Sequence, residues 1–221
     1  MVLTRSANLR RSAAVREPRL FYLKEAVAPL LTDVMPKVSR NGQSAILSTE
    51  ELDELFDAMS PRCRAALSIC RYTAARISEA LALKWKNISA GFVVLEKSNT
   101  KTKCTRQVPL HPALALELQR WGEGQRPCDT RADAWIFPRR GGQEPTPRRT
   151  IDDALRRACE RKGVQGVSTH TMRRSALTSA SNGGVPLRHI QSLSGHTSLD
   201  CLARYLSVSD AQKRTATMAF A

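Results

Sequence analysis

The chain has 221 residues, 42% of them hydrophobic, and carries 35 basic against 20 acidic side chains, a net charge of +15. That is enough apolar material for one packed domain with an appendage, so neither disulfide nor metal staples are needed. The charge excess favours a polyanionic partner, usually DNA or RNA. Six cysteines are present, but none forms a C-x-x-C pair or a Cys/His spacing suited to zinc. They fall mostly in apolar helical patterns, as buried thiols of a reducing cytosol do. No stretch approaches the ~20 apolar residues of a membrane span, and the N-terminus lacks the apolar run of a signal peptide. A cytoplasmic protein with no membrane association is expected.

Residues 1–42 read as a basic arm, with Arg5, Arg10, Arg11, Arg16 and Arg19 among its charges. A nucleic-acid-contacting arm and a plain flexible terminus fit it equally. The main domain, 43–221, opens at Ser48-Thr-Glu-Glu51, a capping-box pattern followed by a helical stripe of Leu52, Leu55, Phe56 and Met59. Ser60-Pro61 restarts a helix with Ala66, Leu67, Ile69 and Cys70 on its apolar face. A third helix is predicted from Ile77 to Leu83. Gly91–Lys97 and Arg106–Leu110 have strand character and are joined by a lysine-rich turn over 98–105. Trp135-Ile-Phe137 reads as a further short strand. Thr146-Pro147 opens a helix bearing Ile151, Leu155, Ala158 and Cys159, and Gly163 closes it. Helices then follow over Thr169–Ser181, Pro186–Gly195, Ser198–Leu206 and Asp210–Phe220. The predicted fold class is α+β, mainly α, with a small antiparallel sheet inserted near the start of a helical domain.

The C-terminal third concentrates residue types that handle a phosphodiester. Arginine donates two parallel bonds to non-bridging oxygens and keeps its charge. Histidine moves protons near neutral pH. Tyrosine is a weak nucleophile, with a free pKa of about 10, unless a base and cations surround it. Taken singly, Tyr205 fits a packed helix residue, and His196 fits a cap on the Gly195 turn.

Together, His170-x-x-Arg173, Leu193-Ser-Gly-His196 and Tyr205 resemble the C-terminal signature of the tyrosine recombinase (phage integrase) family. Upstream, Thr73-Ala-Ala-Arg76-Ile-Ser-Glu79-Ala-Leu-Ala-Leu83 is similar to that family's first arginine motif, Thr-Gly-x-Arg-x-Ser-Glu-Leu-x-x-Leu. Lys101 precedes Pro109 at the spacing of the family's hairpin lysine. The resemblance implies that Arg76 and Arg173 hold the scissile phosphate. It implies that Lys101 protonates the leaving 5′ oxygen, with Lys97 and Lys103 as competitors on the same turn. His170 is then the base toward Tyr205, and His196 binds a non-bridging oxygen or assists proton transfer. Glu79 braces the arginines, and Tyr205 forms a 3′-phosphotyrosyl bond. No cofactor, nucleotide or metal is implied.

For Arg139, Arg140, Arg148 and Arg149, contact with the DNA backbone and a solvated basic loop both fit; Arg174 stands where an added phosphate contact is expected. The implied partner is double-stranded DNA, with a homotetramer on synapsed sites, weak association without DNA, and accessory DNA-bending proteins. Two departures from the family pattern stand out. Only about 42 residues precede the catalytic motifs, where many members carry a helical core-binding domain, so a short-form recombinase and a catalytically idle DNA-binding remnant are both expected readings. A type IB topoisomerase shares the chemistry and is the third. The second departure is Ala74-Ala75, where the family commonly has glycine after the threonine; alanine is tolerated there unless the position requires positive φ.

Overall fold

At Ser48 an extended run turns into helix. The computed structural model describes residues 43–100, 104–124, 130–206, 208, 210–218 and 220; the basic arm, Lys101 and Lys103 lie outside the described residues. The Ser48 hydroxyl accepts from the Glu51 amide, and the Glu51 carboxylate accepts from the Ser48 amide at 2.7 Å. This reciprocal cap, which the sequence predicts, starts α1 (Thr49–Asp57). Proline in the first turn starts α2 (Pro61–Thr73), which buries Cys63, Ala65, Ala66, Leu67, Ile69 and Cys70. A helix that buries residues on so many sides belongs in the centre of a bundle. Accordingly α2 packs against α3 (Ile77–Leu81), α4 (Pro112–Gly124), α5 (Arg148–Lys162) and α6 (Thr169–Asn182).

A single 3-10 turn over Trp85–Asn87 leads into the sheet of β1 (Ile88–Ser89), β2 (Phe92–Leu95) and β3 (Arg106–Pro109), antiparallel in the order β1-β2-β3. The register pairs Val93 with Val108 and Leu95 with Arg106. Alternation therefore turns Val93, Leu95, Arg106 and Val108 inward, and all four are buried. After α6 come α7 (Leu187–Ser194), α8 (Leu199–Ala203) and α9 (Asp210–Met218). The mainly helical fold with a small inserted antiparallel sheet matches the predicted class. Among the described residues no helix is long and apolar enough to cross a membrane.

Helix α4 has no counterpart among the predicted elements, and three predicted elements differ from expectation. The third helix stops at Leu81 rather than Leu83. Trp135–Phe137 is no strand: Trp135 forms one isolated bridge to Lys84, and the Ile136 amide donates to the Leu83 carbonyl. Ile136 and Phe137 are buried because they fill the core beside Trp121, whose indole donates to the Ile136 carbonyl at 2.7 Å. Helix α8 ends at Ala203 rather than Leu206, so Tyr205 lies in the turn that follows it.

The β1–β2 hairpin turns through Ala90 (φ 50°) and Gly91 (φ 79°), two left-handed residues in a two-residue loop. This is the turn that favours Asn-Gly. Ala90 is exposed, so its side chain offsets none of the ~1–2 kcal/mol that the left-handed region costs an ordinary residue. Ala90→Asn is therefore expected to stabilise the domain by about 0.5–1 kcal/mol, read as a shift of the urea midpoint at unchanged slope.

Candidate active site

Three helix ends and one buried helix face meet at one place. Arg76 is the N-cap of α3, Arg173 lies on the buried face of α6, His196 follows α7, and Tyr205 follows α8.

Arg173 is the centre, with 1% of its surface exposed. One Nη donates to the Ala74 carbonyl; the other donates to the Ser194 carbonyl at 2.9 Å and meets His196 Nε2 at 3.0 Å. Burial, and then the neighbouring Arg76 and Arg106, pull its pKa down to about 10, so it stays charged at neutral pH.

Ala74 takes φ 50° at the end of α2, so the position where the family has glycine does need positive φ. The cost of ~1–2 kcal/mol is partly offset by ~0.8 kcal/mol for a buried methyl. That methyl packs with Leu177, Ile190 and Leu202. Alanine thus serves, and its carbonyl is aimed at Arg173.

Glu79, 1% exposed, joins two guanidinium groups. Oε1 accepts from Arg76 at 2.9 Å, and Oε2 accepts from Arg106 at 2.9 Å and from the Arg76 amide at 3.1 Å. Burial alone would raise its pKa, but Arg106 and the bonds from Arg76 outweigh burial and hold it below the usual carboxylate range.

The His196 ring has a defined tautomer. Arg173 can only donate, so Nε2 accepts. Nδ1 lies 2.8 Å from Ser194 Oγ, whose own hydrogen can go to the Gln191 carbonyl at 3.3 Å. Nδ1 therefore carries the proton and donates to Ser194. Burial, followed by Arg173, Arg76 and Arg106, lowers the ring pKa to about 4, so the imidazole is neutral at pH 7.

A pH dependence follows. Between 6.5 and about 4 the unfolded chain binds a proton that the folded ring refuses. Stability from this group is full above 6.5 and is lost as the pH falls toward 4. Glu79 has the same sign in a lower window, below its ordinary 4.5. Urea midpoints measured from pH 7 to pH 4 are expected to fall, and His196→Gln is expected to flatten the part above the carboxylate range. An equally steep fall in that variant would exclude His196 as its source.

Tyr205 is half-buried. Its ring centroid lies 4.8 Å from that of His196 and 5.5 Å from Arg173 Cζ, within range of a cation–π attraction. Thr178 Oγ1 donates to the Tyr205 carbonyl at 3.1 Å, and Leu177, Ile190 and Leu202 form the apolar seat below. His170 is half-buried in the first turn of α6, one turn ahead of Arg173 on the same face.

Arg76, Glu79, Arg173, His196 and Tyr205 thus come together, with His170 one turn away. Lys101 lies outside the described residues. Arg139, Arg140, Arg148 and Arg149 are exposed at a loop and at the start of α5. Three of them face acids: Arg139 with Glu144, Arg148 with Asp152 and Arg149 with Asp153. Exposed pairs of this kind are worth about 0–1 kcal/mol and exchange readily for another anion. Arg174 differs: it is buried, and its guanidinium donates to the Ser44 carbonyl, bracing the chain ahead of α1. Sequence reasoning passed over Arg106 and Ser194. The signal for Arg106 is a charge at an inward strand position beside Val108. Among the described residues no group of His, Cys, Asp and Glu could hold a metal ion.

Residues 45–212 match the Phage integrase family. The chain is 30% identical over 162 residues to tyrosine recombinase XerC of Bifidobacterium longum (strain DJO10A), an alignment covering 69% of this chain and 45% of that protein. Two solved structures share the fold. XerA recombinase superposes with a TM-score of 0.67 at 22% identity, over 80% of this chain and 65% of that one. XerH site-specific recombinase, bound to a palindromic difH substrate, gives 0.66 at 22% identity, over 80% and 53%. With a match of this extent, the chain belongs to the phage integrase family. It spans about half the length of the XerC relative.

Proposed function

We propose that this chain is a site-specific DNA recombinase that cuts and rejoins strands through Tyr205. The observation that carries the reading is the Tyr205 ring tilted against His196 and within cation–π range of the buried Arg173, with Arg76 and Glu79 completing the same cluster. Arg76 and Arg173 bind the non-bridging oxygens of the scissile phosphate, preorganised by Glu79 and by the Ala74 and Ser194 carbonyls. The Tyr205 oxygen attacks phosphorus and gives its proton to His170. The bond to the 5′ oxygen breaks, and that oxygen takes a proton from Lys101. The 3′-phosphotyrosyl bond formed keeps the energy of the bond broken, so a second strand's 5′ hydroxyl can reverse the step.

In this reading residues 43–221 form the catalytic domain and 1–42 a basic arm or part of a core-binding domain. Arg139, Arg140, Arg148 and Arg149 grip the phosphate backbone, which makes binding fall steeply with salt. Double-stranded DNA is the partner, four protomers assemble on paired sites in the cytoplasm, and DNA-bending proteins assist. The similar XerH has been described with its difH substrate, which fits this reading.

The test is a nicked suicide duplex whose arms are first selected from a randomised pool by the protein itself. Cleavage releases a short fragment and traps a covalent protein–DNA adduct that survives denaturation. Tyr205→Phe is expected to abolish the adduct while retaining duplex binding. Absence of any adduct from the wild-type protein on the selected duplex would falsify the proposal and leave a DNA-binding protein without strand chemistry.

A further inference from the structure

We propose that Arg106 is a positioning residue of this site: it fixes the Glu79 carboxylate so that Arg76 is held ready for phosphate, and it supports the turn that carries His196. The inference rests on the reading of Tyr205 as nucleophile.

Arg106 opens β3 opposite Leu95 and points into the protein, 8% exposed. A guanidinium on the core face of a four-residue strand loses hydration worth several kcal/mol unless its geometry repays it. The repayment is specific. Arg106 Nη2 donates to Glu79 Oε2 at 2.9 Å, while Arg76 Nη1 holds Oε1 at 2.9 Å. One buried carboxylate is thereby shared between two cations. Without Arg106, Glu79 keeps Arg76 as its sole charged partner among the described residues, and Arg76 is drawn toward the carboxylate instead of toward an incoming phosphate.

The second contact is with Gly195. A Cβ built there would lie 2.9 Å from Arg106 Nη1 and 3.2 Å from its Cδ, and Gly195 has φ +69°. The arginine therefore lies against the backbone between Ser194 and His196, where the positive φ favours glycine and a Cβ would displace the guanidinium. Arg106 Nε and Nη1 have no hydrogen-bond partner among the described residues. Its charge is thus not wholly absorbed by Glu79, and it acts on both Arg173 and His196. Arg106 is also the residue that follows the 98–105 segment, with its two lysines, at the start of β3.

The test compares wild type, Arg106→Met, Arg106→Lys, Glu79→Gln and the Arg106→Met/Glu79→Gln double variant on the selected nicked duplex. Single-turnover adduct formation is measured at saturating DNA, duplex affinity by fluorescence anisotropy, and folding by thermal melting. Arg106→Met is expected to slow adduct formation about 30-fold, equivalent to ~2 kcal/mol at 1.36 kcal/mol per decade, with affinity within about threefold. Arg106→Lys recovers part of the rate. In the Glu79→Gln background Arg106→Met slows the reaction by clearly less than it does in wild type, because part of its effect runs through Glu79. A wild-type rate in Arg106→Met, a loss confined to affinity, or single losses that add in full each overturn the role. Should Arg106→Met melt below the assay temperature, Arg106→Lys decides: it keeps the charge but cannot present the same fork. A rate at least about fivefold below wild type supports the role, and a wild-type rate overturns it. No adduct from wild type sinks the nucleophile reading and this proposal with it, whereas a wild-type adduct with unaffected variants sinks only the role of Arg106.

Discussion

Arg173→Met is expected to lower adduct formation about a thousandfold and to cost about 3 kcal/mol of folding stability. Both effects come from one group. The Arg173 guanidinium donates to the Ala74 carbonyl, the Ser194 carbonyl and the His196 ring. Methionine keeps the volume but leaves three acceptors facing an apolar side chain. Each stranded buried acceptor costs about 1–3 kcal/mol, which alone gives more than the net value. Two gains offset part of it. A charge that burial and two neighbouring arginines disfavour, with its pKa pulled to about 10, is gone. The repulsion with Arg76 and Arg106 goes with it. The balance stays unfavourable because hydrogen-bond loss counts three times and relief of charge counts once.

Arg173→Lys is expected to retain more stability than methionine yet cleave nearly as poorly, since one ammonium cannot span those three acceptors and a phosphate. Urea denaturation and single-turnover cleavage separate the two effects. Cleavage within tenfold of wild type in Arg173→Met would remove Arg173 from the chemistry.

Glu79→Ala is expected to destabilise the domain by about 3–5 kcal/mol, the range for removing one partner of a buried ion pair. Here the stranded partners are Arg76 and Arg106, with Arg173 beside them. Glu79→Gln is expected to lose less, since the amide oxygen still accepts one bond, while its NH2 meets the donors of the other arginine. Sulfate distinguishes electrostatic from packing loss. An anion bound by surplus guanidinium groups stabilises the folded state by mass action. Sulfate is therefore expected to raise the melting temperature of Glu79→Gln more than that of wild type, beyond an equal ionic strength of chloride. Equal responses of the two proteins would mean that the loss is packing.

The helix starts were legible in the sequence because caps are local chemistry. Ser48 with Glu51, Ser60-Pro61 and the Gly163 and Gly195 stops all lie within a few residues of what they control. Helix α4 was not legible by the same means. Its stripe of Leu114, Leu118 and Trp121 has helical spacing, but Leu116, 47% exposed, blurs the pattern. It also begins at Pro112, with only two residues between it and a strand, without Ser, Thr, Asp or Asn ahead of it. The Trp135–Phe137 segment shows the opposite error: aromatic and β-branched residues suggest a strand, but their burial comes from Trp121 and Leu83, which no local rule sees.

In the site, the resemblance to the family's motifs singled out Arg76, Glu79, Arg173, His196 and Tyr205, and these side chains converge. Arg106 and Ser194 stayed hidden because their importance arises from tertiary position. A strand register is needed before an inward arginine is visible as an anomaly. Arg174 was read as a phosphate contact from its neighbour in sequence, whereas one step along a helix rotates a side chain to another face, here toward Ser44.

The bonds of Arg173 also bear on how the domain breathes. Ala74 stands at the end of the central helix, whereas Ser194 and His196 stand at the end of α7, far along the chain. One guanidinium clamps both turns, so neither can loosen without releasing the other. Amide exchange at Ala75 and Arg76 and at His196 and Thr197 is therefore expected to follow a single shared opening. Matched exchange rates at the two stretches would show them opening as one unit, although more than a hundred residues separate them in sequence.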